Sequence, residues 1–240
     1  MAENRTSGCR SALLDSLGWV DHAFQAAGDP PPSDAAYGQQ RHSPTVVLDE
    51  ENMPPKRCES DGVIGVTTRP VAVYTADCLP VLIADTRRRH VAAVHAGLKG
   101  ALAGVLFSAV ERLKALGADS ETLFVAIGPA IAPCCYELGE NMINEIGQNP
   151  RLRQPATWSA VQPRNALAVR PQAQAQQQGV WFDLPQLGRQ MLLQTGIPAA
   201  QIELLNLCTY CMAETGASYR RNTHFNSGYR SRYSWIRRVA

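Results

Sequence analysis

With 240 residues, 45% of them hydrophobic and 18% charged, the chain has the composition of an ordinary globular protein large enough for a sizeable core. A formal net charge of +2 sets up no strong field, which argues against nucleic acid or an anionic membrane as an electrostatic partner. No stretch reaches the ~18 uncharged apolar residues of a membrane helix. The opening "MAENRTSGCRSALLDSLGWV" lacks a signal peptide's basic start and apolar run, so a cytoplasmic protein is expected.

Along the chain, "GDPPPSDAAYG" (28–38) is a proline-rich connector with little capacity for regular structure. "TVVLDEE" follows as a short strand and "NMPPKRCESDG" as a turn-rich link. The main β segment is "GVIGVT", "VAVYTADC", "PVLIAD" and "HVAAVHA", β-branched runs separated by proline or charged turns. Pro80, directly after Cys78-Leu79, predicts that a strand ends or bulges at the cysteine. "KGALAGVLFSAVERLKAL" (99–116) has apolar residues at helical spacing and closes on Gly117. "ETLFVAIGP" reads as a buried strand and "ELGENMINEIG" as a short helix. Residues 151–179 are polar and irregular and read as a mobile excursion. "FDLPQLGRQMLLQTG" is a helix capped by Asp183 and stopped at Gly196, and "QIELLNL" and "YSWIRRV" are the last strands. Strands and helices do not alternate regularly. That argues against a doubly wound parallel sheet and for one α+β domain over residues 1–240 with mixed sheets.

Cys78 and His95 each close an apolar run, so adjacent strands would bring a thiol and an imidazole together. Both are good zinc ligands, and a catalytic zinc takes three protein ligands and keeps one position open. His42 in "GQQRHSPTVVLD" is the third candidate, with His22 and His90 as weaker choices. The trio lacks the short fixed intervals of a zinc motif, so spacing alone leaves bland core or surface roles equally open. Seven cysteines is an odd count, too sparse for a disulfide-stapled secreted scaffold. "CTYC" (Cys208 and Cys211) is a lone C-x-x-C and reads as buried, reduced thiols that are not metal ligands. Cys134 and Cys135 are adjacent, so in an extended segment at most one faces a given pocket. The tail "ASYRRNTHFNSGYRSRYSWIRR" mixes arginines and tyrosines as a base-stacking surface would, against the near-neutral charge of the whole. Arg220 and Arg221 are able instead to hold one phosphate in a pocket, while Arg237 and Arg238 read as solvated.

Taken in order, "WVDHAFQ", "QQRHS", "TADCLPVLIAD", "VAAVHAGLKG", "AIGPAIAPCCYELG", "WFDLPQL" and "CTYC…SYRR…YRSR" resemble one family. It is the laccase-like "multicopper polyphenol oxidoreductase" or YfiH family, also described as purine nucleoside phosphorylases and peptidoglycan editing factors. The resemblance implies a single-domain, layered α/β/β/α sandwich with mixed sheets. It also implies a zinc ion held by two histidines and a cysteine, which fall here on His42, Cys78 and His95. The implied activities are phosphorolysis of adenosine, inosine or methylthioadenosine and hydrolytic deamination of adenosine. Purine nucleoside and phosphate are then the small-molecule partners, and a monomer or weak dimer is expected. The laccase label implies copper, but the chain has no further histidine-rich motif for an electron-transfer array. Two departures stand out. The family's H-A-G-W-R-G is here "HAGLKG", so that Lys99 keeps the arginine's charge without its planar fork. And "AAGDPPPSDAAYG" replaces a longer segment rich in glycine, serine and asparagine.

Under that resemblance a three-ligand zinc supplies a nucleophile at neutral pH for attack on C6 of adenine, and Lys99 or Arg220 holds phosphate by charge-assisted bonds. Asp77 either orients a ligand or substrate or makes a structural bond at the strand end. Two other readings stay open. One is a cysteine hydrolase with Cys78 as nucleophile and His95 as base, and the other is a non-catalytic metal-binding or interaction protein.

Overall fold

A computed structural model describes residues 8–49, 54–152 and 157–239. The end of the strand expected at "TVVLDEE", the start of the link after it, and 153–156 of the expected excursion lie outside the described residues. In chain order the elements begin α1 (Ala12–Asp15), β1 (Val20–Ala27), β2 (Val46–Leu48), β3 (Gly62–Gly65), β4 (Val71–Thr75), β5 (Leu79–Asp85) and β6 (Val91–Ala96). They continue with α2 (Leu98–Ala103), α3 (Val105–Ala115), β7 (Leu123–Ile127), β8 (Glu137–Leu138), α4 (Glu140–Gly147) and β9 (Trp158–Ser159). The last are β10 (Val180–Phe182), α5 (Leu184–Gln194), β11 (Ile202–Leu204), α6 (Tyr219–Phe225) and β12 (Arg232–Arg238).

β5 has no polar face because it lies between two cores. Leu79, Val81 and Ile83 point to one side, among Leu106, Val110 and Leu113 of α3 and Leu187 and Met191 of α5. Leu82 and Ala84 point to the other, against Val71 and Val73 of β4, Phe24 of β1 and Ile236 of β12. A strand covered on both faces reads as a continuous apolar run, which is what its sequence shows. β5 is central in a six-stranded sheet of order β11-β7-β5-β6-β3-β2. Its centre is antiparallel, while the end pairs β11 with β7 and β2 with β3 are parallel. A three-stranded antiparallel sheet, β1-β12-β4, stacks on one face, and α2, α3 and α5 cover the other. A third small sheet, β8-β10-β9, completes the layered α+β arrangement with mixed sheets that the sequence leads one to expect.

Four local expectations need correction. The helix expected over 99–116 is two helices, because Gly104 takes φ +98 and ends α2, donating its N–H to the carbonyls of Gly100 and Ala101. Of the two alternatives at the cysteine, a strand does end just ahead of it, β4 at Thr75, but Pro80 makes no bulge: it is the second residue of β5, opposite His95, and the interruption is the crossing from one sheet to the other. The described part of the 151–179 excursion is pinned rather than free. Gln162 donates to the carbonyls of Cys134 and Ala173, and the Glu137 carboxylate accepts from the backbone N–H groups of Gln176, Gln177 and Gly179. Finally, the basic tail contains α6, started by Ser218, whose hydroxyl accepts from Arg221 N.

Candidate metal centre

The stacked sheets are joined where β4 ends at Thr75 and β5 begins at Leu79, so residues 76–78 cross between layers. The corner is Asp77, at φ +88, a conformation that non-glycine residues rarely adopt without fixed partners. Those partners are present. One carboxylate oxygen accepts from Thr209 Oγ1 at 2.6 Å, and the other from Ser218 Oγ at 3.0 Å and Arg220 N at 2.6 Å. Burial raises the Asp77 pKa against the pull of these bonds. Cys78 follows directly, half-buried at the mouth of the seam.

His95 is one residue from the end of β6, on the same face as Val91 and Ala93 and therefore turned toward the seam between the sheets. Its Nδ1 lies 2.7 Å from Asp61 Oδ1, and its backbone N–H donates to Asp61 O at 2.7 Å. A carboxylate at that distance takes the Nδ1 proton as its hydrogen bond and leaves the Nε2 lone pair free for a ligand. Asp61 also shapes the loop that carries His42. Oδ1 accepts from His42 N at 2.9 Å, and Oδ2 from Arg41 N at 3.1 Å and from Ser43 N and Oγ, both at 2.7 Å. These bonds hold His42 at φ +58. Burial alone would raise the Asp61 pKa, but the bonds from His95, Ser43 and Arg41 hold it well below the usual carboxylate range.

The result is a convergent trio. His42 Nε2 is 3.6 Å from Cys78 Sγ, the two imidazoles meet edge-to-face with centroids 4.7 Å apart, and the three donor atoms lie within 4.8 Å of one another. Burial, the His95 ring and the Lys99 charge lower the His42 pKa, favouring the neutral form that ligates. Burial pushes the Cys78 thiol up to about 12, with the Asp77 and Asp61 charges adding to it. A cation among these ligands reverses that balance, because a coordinating thiol is deprotonated outright. Gly97 leaves room for the trio: a Cβ there would come within 2.5 Å of His42 Cδ2 and 2.7 Å of Cys78 Sγ.

The other expected site residues surround this point at varying distance. Lys99 is exposed, two residues beyond Gly97, and its charge reaches His42. Arg220 donates from Nη1 to Glu137 O at 3.0 Å and lies 5.1 Å from the centre of the Tyr136 ring. Burial pushes the Tyr136 phenol up to about 12, against the pull of the Arg220 charge. Arg221 lies over Tyr210 and Phe225 and donates to Pro171 O, and Arg237 pairs with Asp21 at 2.9 Å. His22 is buried elsewhere and accepts from Ser11 N at 2.8 Å; His90 lies before β6. A depression of about 630 Å³ beside Pro44, lined in part by Phe107, Glu111 and Lys114, includes none of the trio. Two imidazoles and a thiol, all possible metal ligands, converge at the trio.

Asp61 is the residue that sequence reading passed over. Its one signal is an acid immediately ahead of the strand "GVIG" in a turn-rich link, which many structural turns share. The cysteines bring a second correction. Cys134 and Cys135 are not in an extended segment but in a turn, with Cys135 N and Tyr136 N both donating to Ala132 O, so both thiols face the same way. They meet Cys208 and Cys211, and the four buried sulfurs lie within 4.8 Å of one another. "CTYC" therefore has a second pair after all, and the cluster could hold a metal.

A family profile described as multi-copper polyphenol oxidoreductase laccase matches residues 20–237. A purine nucleoside phosphorylase of Synechocystis sp. is 31% identical over 217 residues, covering 88% of this chain and 78% of that protein. A purine nucleoside phosphorylase of Bacteroides thetaiotaomicron is 30% identical over 165 residues, 67% of this chain and 56% of that protein. Among solved structures, YlmD from Geobacillus stearothermophilus is similar with a TM-score of 0.77 at 18% identity, over 100% of this chain and 98% of that one. The Bacillus licheniformis hypothetical protein YfiH has a TM-score of 0.74 at 22% identity, over 92% and 93%. At those identities the likeness carries the fold alone. The family profile spans nearly all of the sequence and a relative above 30% identity covers most of it: the chain belongs to the multi-copper polyphenol oxidoreductase laccase family.

Proposed function

We propose that the protein is a zinc-dependent purine nucleoside phosphorylase that also deaminates adenosine, with His42, Cys78 and His95 as the metal ligands. The observation that carries this reading is the convergence of two imidazoles and a thiol, with Asp61 fixing the tautomer of one and the loop of the other. Nitrogen and sulfur donors in a set of three suit zinc with a position left for substrate. Bound zinc supplies Lewis acidity at that position. The substrate class comes from relatives named purine nucleoside phosphorylase.

In phosphorolysis a phosphate oxygen attacks the ribose C1′, the bond from C1′ to the base nitrogen breaks, and its electron pair leaves with the purine, which takes up a proton. The protein's task is to hold phosphate behind C1′ and to stabilise the departing base. Lys99, exposed two residues beyond Gly97, and Arg220, over the Tyr136 ring, are the cations for phosphate. Asp77 acts as a positioning residue: its oxygens are engaged by Thr209, Ser218 and Arg220 N, so it fixes Cys78 on one side and the start of α6 on the other.

A second reading has one observation in its favour. Cys78, His95 and Asp61 have the order of nucleophile, base and orienting acid that a cysteine hydrolase uses. A hydrolase has no use for the second imidazole, however, and His42 sits 3.6 Å from the thiol. Copper oxidation is less favoured, since of five histidines only two join the trio. The test is to incubate zinc-loaded protein with adenosine or inosine, with and without phosphate, and to resolve adenine, hypoxanthine, inosine and ribose 1-phosphate. Phosphate-dependent release of free base supports the proposal. Turnover indifferent to zinc removal, and abolished by thiol alkylation of the metal-free protein, would replace it with the hydrolase.

A further inference from the structure

We infer that Cys134, Cys135, Cys208 and Cys211 form a second metal site, a tetrathiolate zinc that acts as a structural clamp and takes no part in substrate binding. The four side chains are all buried, at 3% exposure or less, and their sulfurs lie within 4.8 Å of one another. Cys134 Sγ and Cys211 Sγ are 3.9 Å apart. A tetrahedral ion with bonds of ~2.3 Å places its sulfurs ~3.8 Å from one another, so little movement is needed to close the site. A disulfide would require a pair to approach to about 2.05 Å and would leave the other two thiols facing it.

The surroundings fit a cluster of thiolates. Four thiols that bind a divalent cation release their protons to solvent and leave a net charge of −2, which needs hydrogen-bond donors and nearby positive charge. Asn165 Nδ2 donates to Cys211 Sγ at 3.1 Å. Arg170 donates to Met212 O at 2.6 Å and so holds its guanidinium beside the cysteine loop. The backbone is fixed as well: Ala130 N donates to Leu207 O, Thr209 N to Ala130 O, and both Val169 N and Arg170 N to Cys211 O. Three segments distant in sequence thus meet at the four sulfurs. A metal ion would tie the two cysteine-bearing segments to each other directly, adding to these bonds.

The clamp sits one residue from the machinery of the proposed active site. Thr209, between the two cysteines of "CTYC", donates to Asp77 at 2.6 Å, and Ile131 N donates to Asp77 O at 2.9 Å. Both loops that carry the clamp therefore grip the corner that presents Cys78. The inference does not depend on what reaction the trio performs.

The test is metal counting on protein purified under reducing conditions, for the parent and for the double variant His42→Ala/Cys78→Ser. The parent should carry about two zinc ions per chain and the double variant about one. A double variant without zinc would overturn the inference. Cobalt exchanged into that variant should show intense thiolate-to-cobalt charge transfer, which a site lacking cysteine ligands cannot give, and absence of the band would also refute it. Cys135→Ser/Cys211→Ser should lose one zinc, and if that variant does not fold, the cobalt measurement decides. Thiol titration in denaturant with chelator and without reductant should find all seven cysteines free; two or four missing would mean disulfides and overturn the site.

Discussion

Replacing Asp61 with asparagine tests the candidate centre most directly, because the residue is fully buried and organises two of the three candidate ligands. Its oxygens accept five hydrogen bonds, two on Oδ1 from His42 N and His95 Nδ1, and three on Oδ2 from Arg41 N, Ser43 N and Ser43 Oγ. Asparagine keeps one oxygen and puts an NH₂ where the other was. In one orientation the NH₂ opposes the N–H groups of Arg41 and Ser43; flipped, it opposes His42 N and the protonated Nδ1 of His95. At least two donors lose their acceptor either way. Bonds to a charged acceptor contribute roughly 1.5–3 kcal/mol each, so Asp61→Asn should cost the metal-free protein about 3 kcal/mol or more. It should also weaken zinc binding at the trio by about 10–100-fold, the usual effect of removing the partner of a metal-ligating histidine. The assay is zinc competition against a chromophoric chelator, with denaturant melts of chelator-treated protein alongside. Stability within about 1 kcal/mol and zinc affinity within about 2-fold of the parent would refute the account of Asp61 as organiser.

Gly97→Ala should lower zinc occupancy of the trio without unfolding the protein, since its Cβ meets ligand atoms and not core; metal analysis and circular dichroism of the variant check both halves. Burial, with the Arg10 charge adding and Asp15 opposing, depresses His22 from 6.5 to about 4, so this neutral imidazole stabilises the fold fully above pH 6.5 and loses that contribution as the pH falls toward 4. The loss amounts to about 3 kcal/mol, and His22→Gln should flatten the stability slope across that window in denaturant melts; an unchanged slope would sink the assignment. Arg220→Ala should cut phosphorolytic turnover by ~10-fold or more at matched zinc content, while Arg237→Ala, which loses a half-exposed pair with Asp21, should cost no more than ~1 kcal/mol of stability and leave turnover alone.

What the sequence made legible follows from the range over which each feature is encoded. The β5 and β6 runs, the Asp183 cap and the helix ending near Gly196 are local patterns, and the structure has them within a residue or two. The break at Gly104 was available as a single glycine inside a helical pattern, but a lone glycine there is also tolerated without a break. The trio became legible only through motif resemblance, because His42 and His95 are brought together by the pairing of β3 with β6 and by Asp61, not by interval. Asp61 itself was hidden, since its role lies in three backbone N–H groups of a different loop. The four cysteines failed differently. The sequence showed both pairs, and the error was assuming an extended backbone at 134–135 where Ala132 starts a turn.

Two buried carboxylates explain how the three candidate ligands converge. His42 and Asp77 both occupy the left-handed region, at φ +58 and +88, and each would relax if it were free. Asp61 holds the first by collecting the N–H groups on either side of it, and the Asp77 side chain holds its own corner by reaching Thr209, Ser218 and Arg220 N. The ligand atoms are thus converged by hydrogen bonds already formed in the folded chain. Little binding energy is then spent on ordering them, in contrast to small zinc modules, where the metal itself drives folding. The four cysteines also converge through hydrogen bonds between loops, and a metal there would add a direct cross-link between the two loops that carry them. The two proposed sites are joined through Thr209 and Asp77: a metal at the four cysteines would secure the corner, and the corner presents Cys78 to the other ligand set.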